Sequence, residues 1–211
     1  MDSENQKMLA LTFDDGPSTG TMSEILELLD RYDARATFFV VGDRITPETA
    51  PVLRAAVDGG HEIGNHSRSH GHMPQLDRET MRSEVASVQQ LVQEAAGIRP
   101  SLFRPPYLDV SPEMLRHIDM PMIGGAGNRD WEPAVSAEER FQTTVSQVED
   151  GAIVLMHCFE NNEATVLALK MLLPELKGQG YQLVTVSELF RRKQIPLEKG
   201  RVYTKAAVSA V

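Results

Sequence analysis

The sequence predicts an α/β fold built on a parallel sheet, and three observations carry that expectation. Short apolar runs alternate with longer amphipathic segments along the whole chain. Several runs, Ile153–Met156 among them, are continuously apolar, as strands covered on both faces are. No linker, repeat or low-complexity block breaks the alternation, and strand–helix units in succession imply parallel pairing. At 211 residues, 41% hydrophobic and 24% charged, the chain has the size and composition of a single globular domain with its own core.

The strands expected are Met8–Phe13, Ala36–Val41, His61–Gly64, Ser101–Arg104, Met120–Gly124, Ala152–Met156 and Gln182–Val186. Helix starts lie between them. Thr46-Pro47 and Ser111-Pro112 each set a capping hydroxyl before a first-turn proline. Asp77 caps a long helix whose face is marked by Met81, Val85, Val88, Val92 and Ala95, with Gly97 as its stop. Ser136 and Glu139 read as a capping box. Residues 1–7 and 196–211 are expected to be peripheral tails. Periodicity admits both an open doubly wound sheet and a closed barrel. In either, ligands gather at the carboxyl ends of the strands.

Charge and cysteine usage narrow the partners. Against 30 acidic residues stand 21 basic ones, a net of −9, and the one basic run is Arg191-Arg192-Lys193. A nucleic-acid partner, which needs a clustered basic footprint, is therefore not expected. The single cysteine, Cys158, allows no internal disulfide. No apolar stretch approaches the ~20 residues of a membrane helix. The polar start Met1–Lys7 has no signal core, so the chain reads as cytoplasmic as it stands, or as secreted with a signal already trimmed.

The strand ends carry the chemistry. After the first strand stand Asp14-Asp15-Gly16-Pro17, two carboxylates that repel unless a cation offsets them, or else a plain turn with a helix cap. After the third come His66 and His70, spaced so that both can grip one metal ion. One aspartate with two histidines leaves coordination positions open, as a hydrolytic metal site requires. Arg104-Pro105-Pro106-Tyr107 follows the fourth strand on a backbone stiffened by proline. Asp130-Trp131 and a histidine, His157, ending an apolar run complete the set. His61 is expected within a strand, His72 beside the metal motif or in solvent, His117 on a helix surface, and Cys158 in packing.

These motifs, in this order, resemble those of the polysaccharide deacetylase family, the NodB-homology esterases of carbohydrate esterase family 4. The resemblance rests on Thr12–Pro17, His66–His70, Arg104–Tyr107, Asp130-Trp131 and Leu155–His157. It implies a distorted (β/α) barrel of seven or eight strands and one divalent metal, zinc or cobalt. By the same resemblance, Asp15, His66 and His70 are the metal ligands and Asp14 is the catalytic base, held by Arg104. His157 is the general acid, tuned upward by Asp130. The Tyr107 backbone N–H serves the oxyanion, while Trp131 and Leu155 wall the acetyl methyl.

Three departures from the family pattern fall on the rim. Gly127 stands where an aspartate is common, Leu108 where a glycine is, and Cys158-Phe159 follow the last histidine. The implied reaction is metal-dependent deacetylation of an acetylated oligo- or polysaccharide, with O-acetyl xylan or a related polymer as the leading substrate. N-deacetylation of N-acetylglucosamine polymers is the alternative, and hydrolysis of a small non-sugar amide a more distant one.

Overall fold

A computed structural model describes residues 6–207. The outermost tail residues, 1–5 and 208–211, lie outside that range. The central strand is β1 (Met8–Gly16), flanked by β2 (Ala36–Val40) on one edge and β6 (Ile153–His157) on the other. Beyond β2 lies β3 (Glu62–Asn65), and beyond β6 lies β5 (Ala126–Gly127), giving the order β3-β2-β1-β6-β5. A short strand β7 (Gln182–Leu183) pairs with Met8 and Leu9, ahead of β2. A separate pair, β4 (Met122–Ile123) and β8 (Val202–Tyr203), completes eight strands among the described residues. All these pairings are parallel.

The sheet curls into a distorted barrel. Phe103 bridges Asn65 of β3 to Met122 of β4, and an antiparallel bridge from Lys205 to Ala152 ties the chain end to the start of β6. Strand alternation then sorts the side chains. Leu9, Leu11 and Phe13 of β1, with Val154 and Met156 of β6, pack outward in the main core with Ile25, Val88 and Leu169. These last come from helices α1 (Thr21–Arg31), α3 (Arg78–Ala96) and α6 (Glu163–Gly178). Met8, Ala10 and Ile153 instead join Phe39, Leu102 and Ile123 in a second core. The same alternation puts Thr12, Asp14 and His157 on the inner face, at the mouth. Gly64 is required beside them, because a Cβ there would meet the Phe39 ring at 2.4 Å.

Several local expectations match. Asp77 accepts from Thr80 N–H, and Gly97 closes α3 at φ 75°. Ser111 caps α4 (Pro112–His117) and Ser136 with Glu139 forms the capping box of α5 (Ala137–Gln147). Others need correction. Thr46-Pro47 heads a turn, and α2 (Ala50–Asp58) begins after Thr49. Ser101–Arg104 is reduced to the single bridge at Phe103, since Pro100, Pro105 and Pro106 lack the N–H groups a longer ladder needs. His61 precedes β3 rather than lying in it.

Residues 196–207 are not a peripheral tail. They contain β8, and Leu197, Tyr203 and the buried Ala206 pack on the second core. No helix among the described residues is long and apolar enough to cross a membrane.

Candidate active site

The Asp14-Asp15 pair is not in a turn. β1 runs on through both, Asp14 pairing with Phe39 and His157 and Gly16 with Val40, with a register shift between them. Asp15 is the bulged residue at φ 66°. Alternation alone would aim its side chain away from Asp14; the bulge turns it back to the mouth. Asp15, Ser67, His70, Tyr107 and Leu108 all have φ between 54° and 66°. Such left-handed conformations in non-glycine residues cost on the order of 1–3 kcal/mol each and concentrate at functional sites.

Asp15, His66 and His70 converge. One ligand atom from each falls within 4.8 Å of the others. Asp15 Oδ1 lies 3.2 Å from His70 Nε2 and 3.7 Å from His66 Nε2, and this buried oxygen has no hydrogen-bond partner among the described residues. His66 Nδ1 is 2.7 Å from the Arg104 carbonyl, which can only accept, so Nδ1 carries the proton and Nε2 presents a lone pair. Burial holds the His66 pKa below its ordinary value, against the pull of Asp14 and Asp15, which keeps the ring neutral. The loop is wired in place: Ser67 N–H donates to Asn65, and His70 N–H to the Ser67 hydroxyl.

Beside this cluster, Asp14 meets Arg104 at 2.7 Å. Burial would raise the Asp14 pKa, but the Arg104 guanidinium, through its charge and its hydrogen bond, outweighs it and holds it low. Arg104 is wholly buried and donates also to Thr12 Oγ1, Ile123 O and Gly124 O. Its guanidinium lies 4.2 Å from the centre of the Phe39 ring. Thr12 belongs to the first motif, but its tie to Arg104 follows only from the inward alternation of β1.

Across the cavity, His157 Nδ1 and N–H each lie 2.7 Å from Asp130, on Oδ1 and Oδ2 respectively. Burial opposes a charge on His157, yet the Asp130 bond prevails and its pKa is raised. Trp131, 48% exposed, sets its edge against the His157 ring at 5.4 Å.

The enclosed space is about 420 Å³, bounded by these residues with Leu155, Tyr107 and Leu108. A side chain at Gly127 would touch Trp131 at 3.6 Å and Leu155 at 3.9 Å, so glycine there leaves that wall open. Every anticipated site residue therefore meets at one mouth except Arg104 and Asp130, which stand behind Asp14 and His157. His72 lies outside the cluster, stacked on Tyr107 at 4.1 Å. His117 ends α4 beside Glu113, and Cys158 is buried.

Sequence reasoning missed Thr165, Asn162 and Arg140, which lie behind Asp130. Thr165 Oγ1 donates to Asp130 Oδ2 at 2.7 Å, and Arg140 donates to Thr165 and Asn162. Arg140 sits in a helix that reads as polar, and its burial arises from packing against α6 and the 132–135 segment.

A family model described as polysaccharide deacetylase matches residues 2–120. The chain is 40% identical over 192 residues to a bifunctional xylanase/deacetylase of Pseudobutyrivibrio xylanivorans, covering 91% of this chain and 32% of that protein. It is 36% identical to a peptidoglycan-N-acetylglucosamine deacetylase of Bacillus cereus, covering 90% of this chain and 91% of that one. Of the first curated relatives it matches, the chain spans 32–42% of the length. Among solved structures, a family 4 acetyl xylan esterase from Clostridium thermocellum, in complex with a cobalt ion, aligns at TM-score 0.92. That pair is 38% identical, with 96% of this chain and 100% of the other covered.

Proposed function

The chain belongs to the polysaccharide deacetylase family, and from that premise we propose that it removes acetyl groups hydrolytically from an acetylated carbohydrate, with O-acetyl xylan or a related polymer as substrate. One observation carries the reading: a three-ligand cluster, an Asp–Arg pair and a His–Asp pair face one cavity.

The residues fit a divalent cation, zinc or cobalt. Two imidazole nitrogens, one of them the lone-pair Nε2 of His66, face a buried carboxylate oxygen that has no hydrogen-bond partner among the described residues, an arrangement that a cation bound between them would satisfy. When bound, such an ion supplies Lewis acidity, polarising the acetyl carbonyl and acidifying water. Asp15, His66 and His70 would hold it.

Asp14, kept ionised by Arg104, takes the proton of the attacking water. The Tyr107 N–H has no acceptor of its own among the described residues. It donates to the oxyanion as the tetrahedral intermediate forms. His157 gives its Nε2 proton to the departing sugar oxygen while Asp130 holds Nδ1. Trp131 and Leu155 bound the space for the acetyl methyl.

The xylan reading draws on the similarity to a xylanase/deacetylase and an acetyl xylan esterase. N-deacetylation is the second reading, favoured by the likeness to a peptidoglycan deacetylase over nearly its full length. Acetate release from acetylxylan, chitooligosaccharides and peptidoglycan, after chelation and metal return, decides between them. Fastest release from acetylxylan is expected. Release from the N-acetyl polymers alone would replace the first reading with the second, and none from any of the three would remove both.

A further inference from the structure

Arg140 is a buried cation without a buried anion touching it. It is 2% exposed. Its guanidinium donates to Val135 O at 3.0 Å, Glu132 O at 3.1 Å, Asn162 Oδ1 at 2.7 Å and Thr165 Oγ1 at 2.9 Å. All four acceptors are neutral, and a buried charge is retained in a fold only when its surroundings compensate it. The compensating carboxylate stands one hydroxyl away. Thr165 Oγ1 donates to Asp130 Oδ2 at 2.7 Å, and Asp130 is wholly buried.

The direction of each bond is forced. A guanidinium has only donors, so Thr165 must accept from Arg140 and spend its own proton on Asp130. Asn162 must likewise turn its oxygen to Arg140, which aims its Nδ2 at the His157 carbonyl, 3.2 Å away. One nitrogen of Arg140 therefore reaches His157 by two routes, through the carboxylate that holds its ring and through its main chain. Asp130 Oδ2 is filled by Thr165 and by His157 N–H, which leaves Oδ1 for the imidazole.

We propose that Arg140 and Thr165 are positioning residues for the general acid: together they lock the Asp130 carboxylate in the one orientation that aims His157 at the leaving group. The inference rests on the deacetylase reading. As the acyl C–O bond breaks, the sugar oxygen takes the Nε2 proton, the imidazole is left neutral, and Asp130 stays ionised with Nδ1–H still on Oδ1. A carboxylate free to turn would release the ring, and misplacement by about 1 Å can lower a rate ~10²-fold. An aryl acetate, whose phenolate departs unaided, does not need the acid, whereas a sugar acetate does.

The test compares kcat on a sugar O-acetate and on an aryl acetate. Thr165→Val keeps the shape and removes the hydroxyl. It should lower the sugar-acetate rate relative to the aryl-acetate rate by ~10-fold or more, with KM little changed, and Thr165→Ser should restore the ratio. In a His157→Ala background the same Thr165→Val change should cost nothing further, since residues acting through one group are not additive. Arg140→Met should reproduce the selective loss. Should it fail to fold, the Thr165 and His157 cycle still decides. Equal losses on both acetates, or an additive loss in the His157→Ala background, would overturn the relay. A wild-type protein that hydrolyses neither acetate would overturn the O-acetyl reading instead.

Discussion

Two adjacent aspartates have opposite surroundings. Asp14 is paired with Arg104, whereas the inward oxygen of Asp15 is unpaired and faces two imidazoles. Asp14→Asn should therefore lower kcat by ~10²–10⁴-fold, the usual worth of general-base catalysis, while metal content measured on the purified variant stays unchanged. The alkaline side of the pH profile belongs to His157. Its pKa is raised because the Asp130 bond outweighs burial, so the acid form persists above the ordinary ~6.5. Turnover of a natural glycan should fall as pH rises through that raised value, and Asp130→Asn should move the fall to lower pH. An unmoved limb in paired pH–rate profiles would take Asp130 out of that role.

At the scale of elements, the strands aim the chemistry and a few side chains stitch them together. His61, just before β3, accepts the Ala36 N–H of β2 on Nδ1 at 3.2 Å and is 9% exposed. Burial first, then the nearby Arg35 charge, lowers its pKa from 6.5 to about 4. The sign follows from proton counting. Between those values the unfolded chain binds the proton and the folded chain does not, so stability falls as pH drops from 6.5 toward 4. The loss approaches about 3 kcal/mol at the lower end, at 1.36 kcal/mol per pKa unit. Urea unfolding at pH 7 and pH 4.5 should show it, and His61→Asn should flatten the difference.

For the whole molecule, barrel closure and metal binding both join segments remote in sequence. Ending the chain at Gly200 would remove β8 and Ala206, exposing Ile123 and Phe190 of the second core. Thermal melting of such a truncation should begin lower and lose cooperativity. Metal should act in the opposite sense, since Asp15 lies in β1 and the two histidines follow β3. A ligand that binds only the folded state stabilises it by ~2.7 kcal/mol at a hundredfold excess over Kd. Chelation is therefore expected to abolish acetate release and lower the melting temperature together, and zinc or cobalt to restore both. Full turnover in protein shown by elemental analysis to hold no metal would remove the cation from the mechanism.

What the sequence determined by itself was local or written in side-chain chemistry. Apolar runs marked β1, β2 and β6, capping residues marked α3, α4 and α5, and the spaced Asp, His and Arg residues marked the site. Tertiary structure decided whatever depends on long-range pairing. The two-residue strands β5 and β8 are too short to show a period, and they exist because β6 and β4 supply their partners. The bulge that turns Asp15 toward Asp14 is a register shift between β1 and β2, visible only when both strands are in place. Arg140 reads as one more surface charge on a polar helix. It becomes part of the site's support because α5 packs on α6, where its buried guanidinium donates to Asn162 and Thr165.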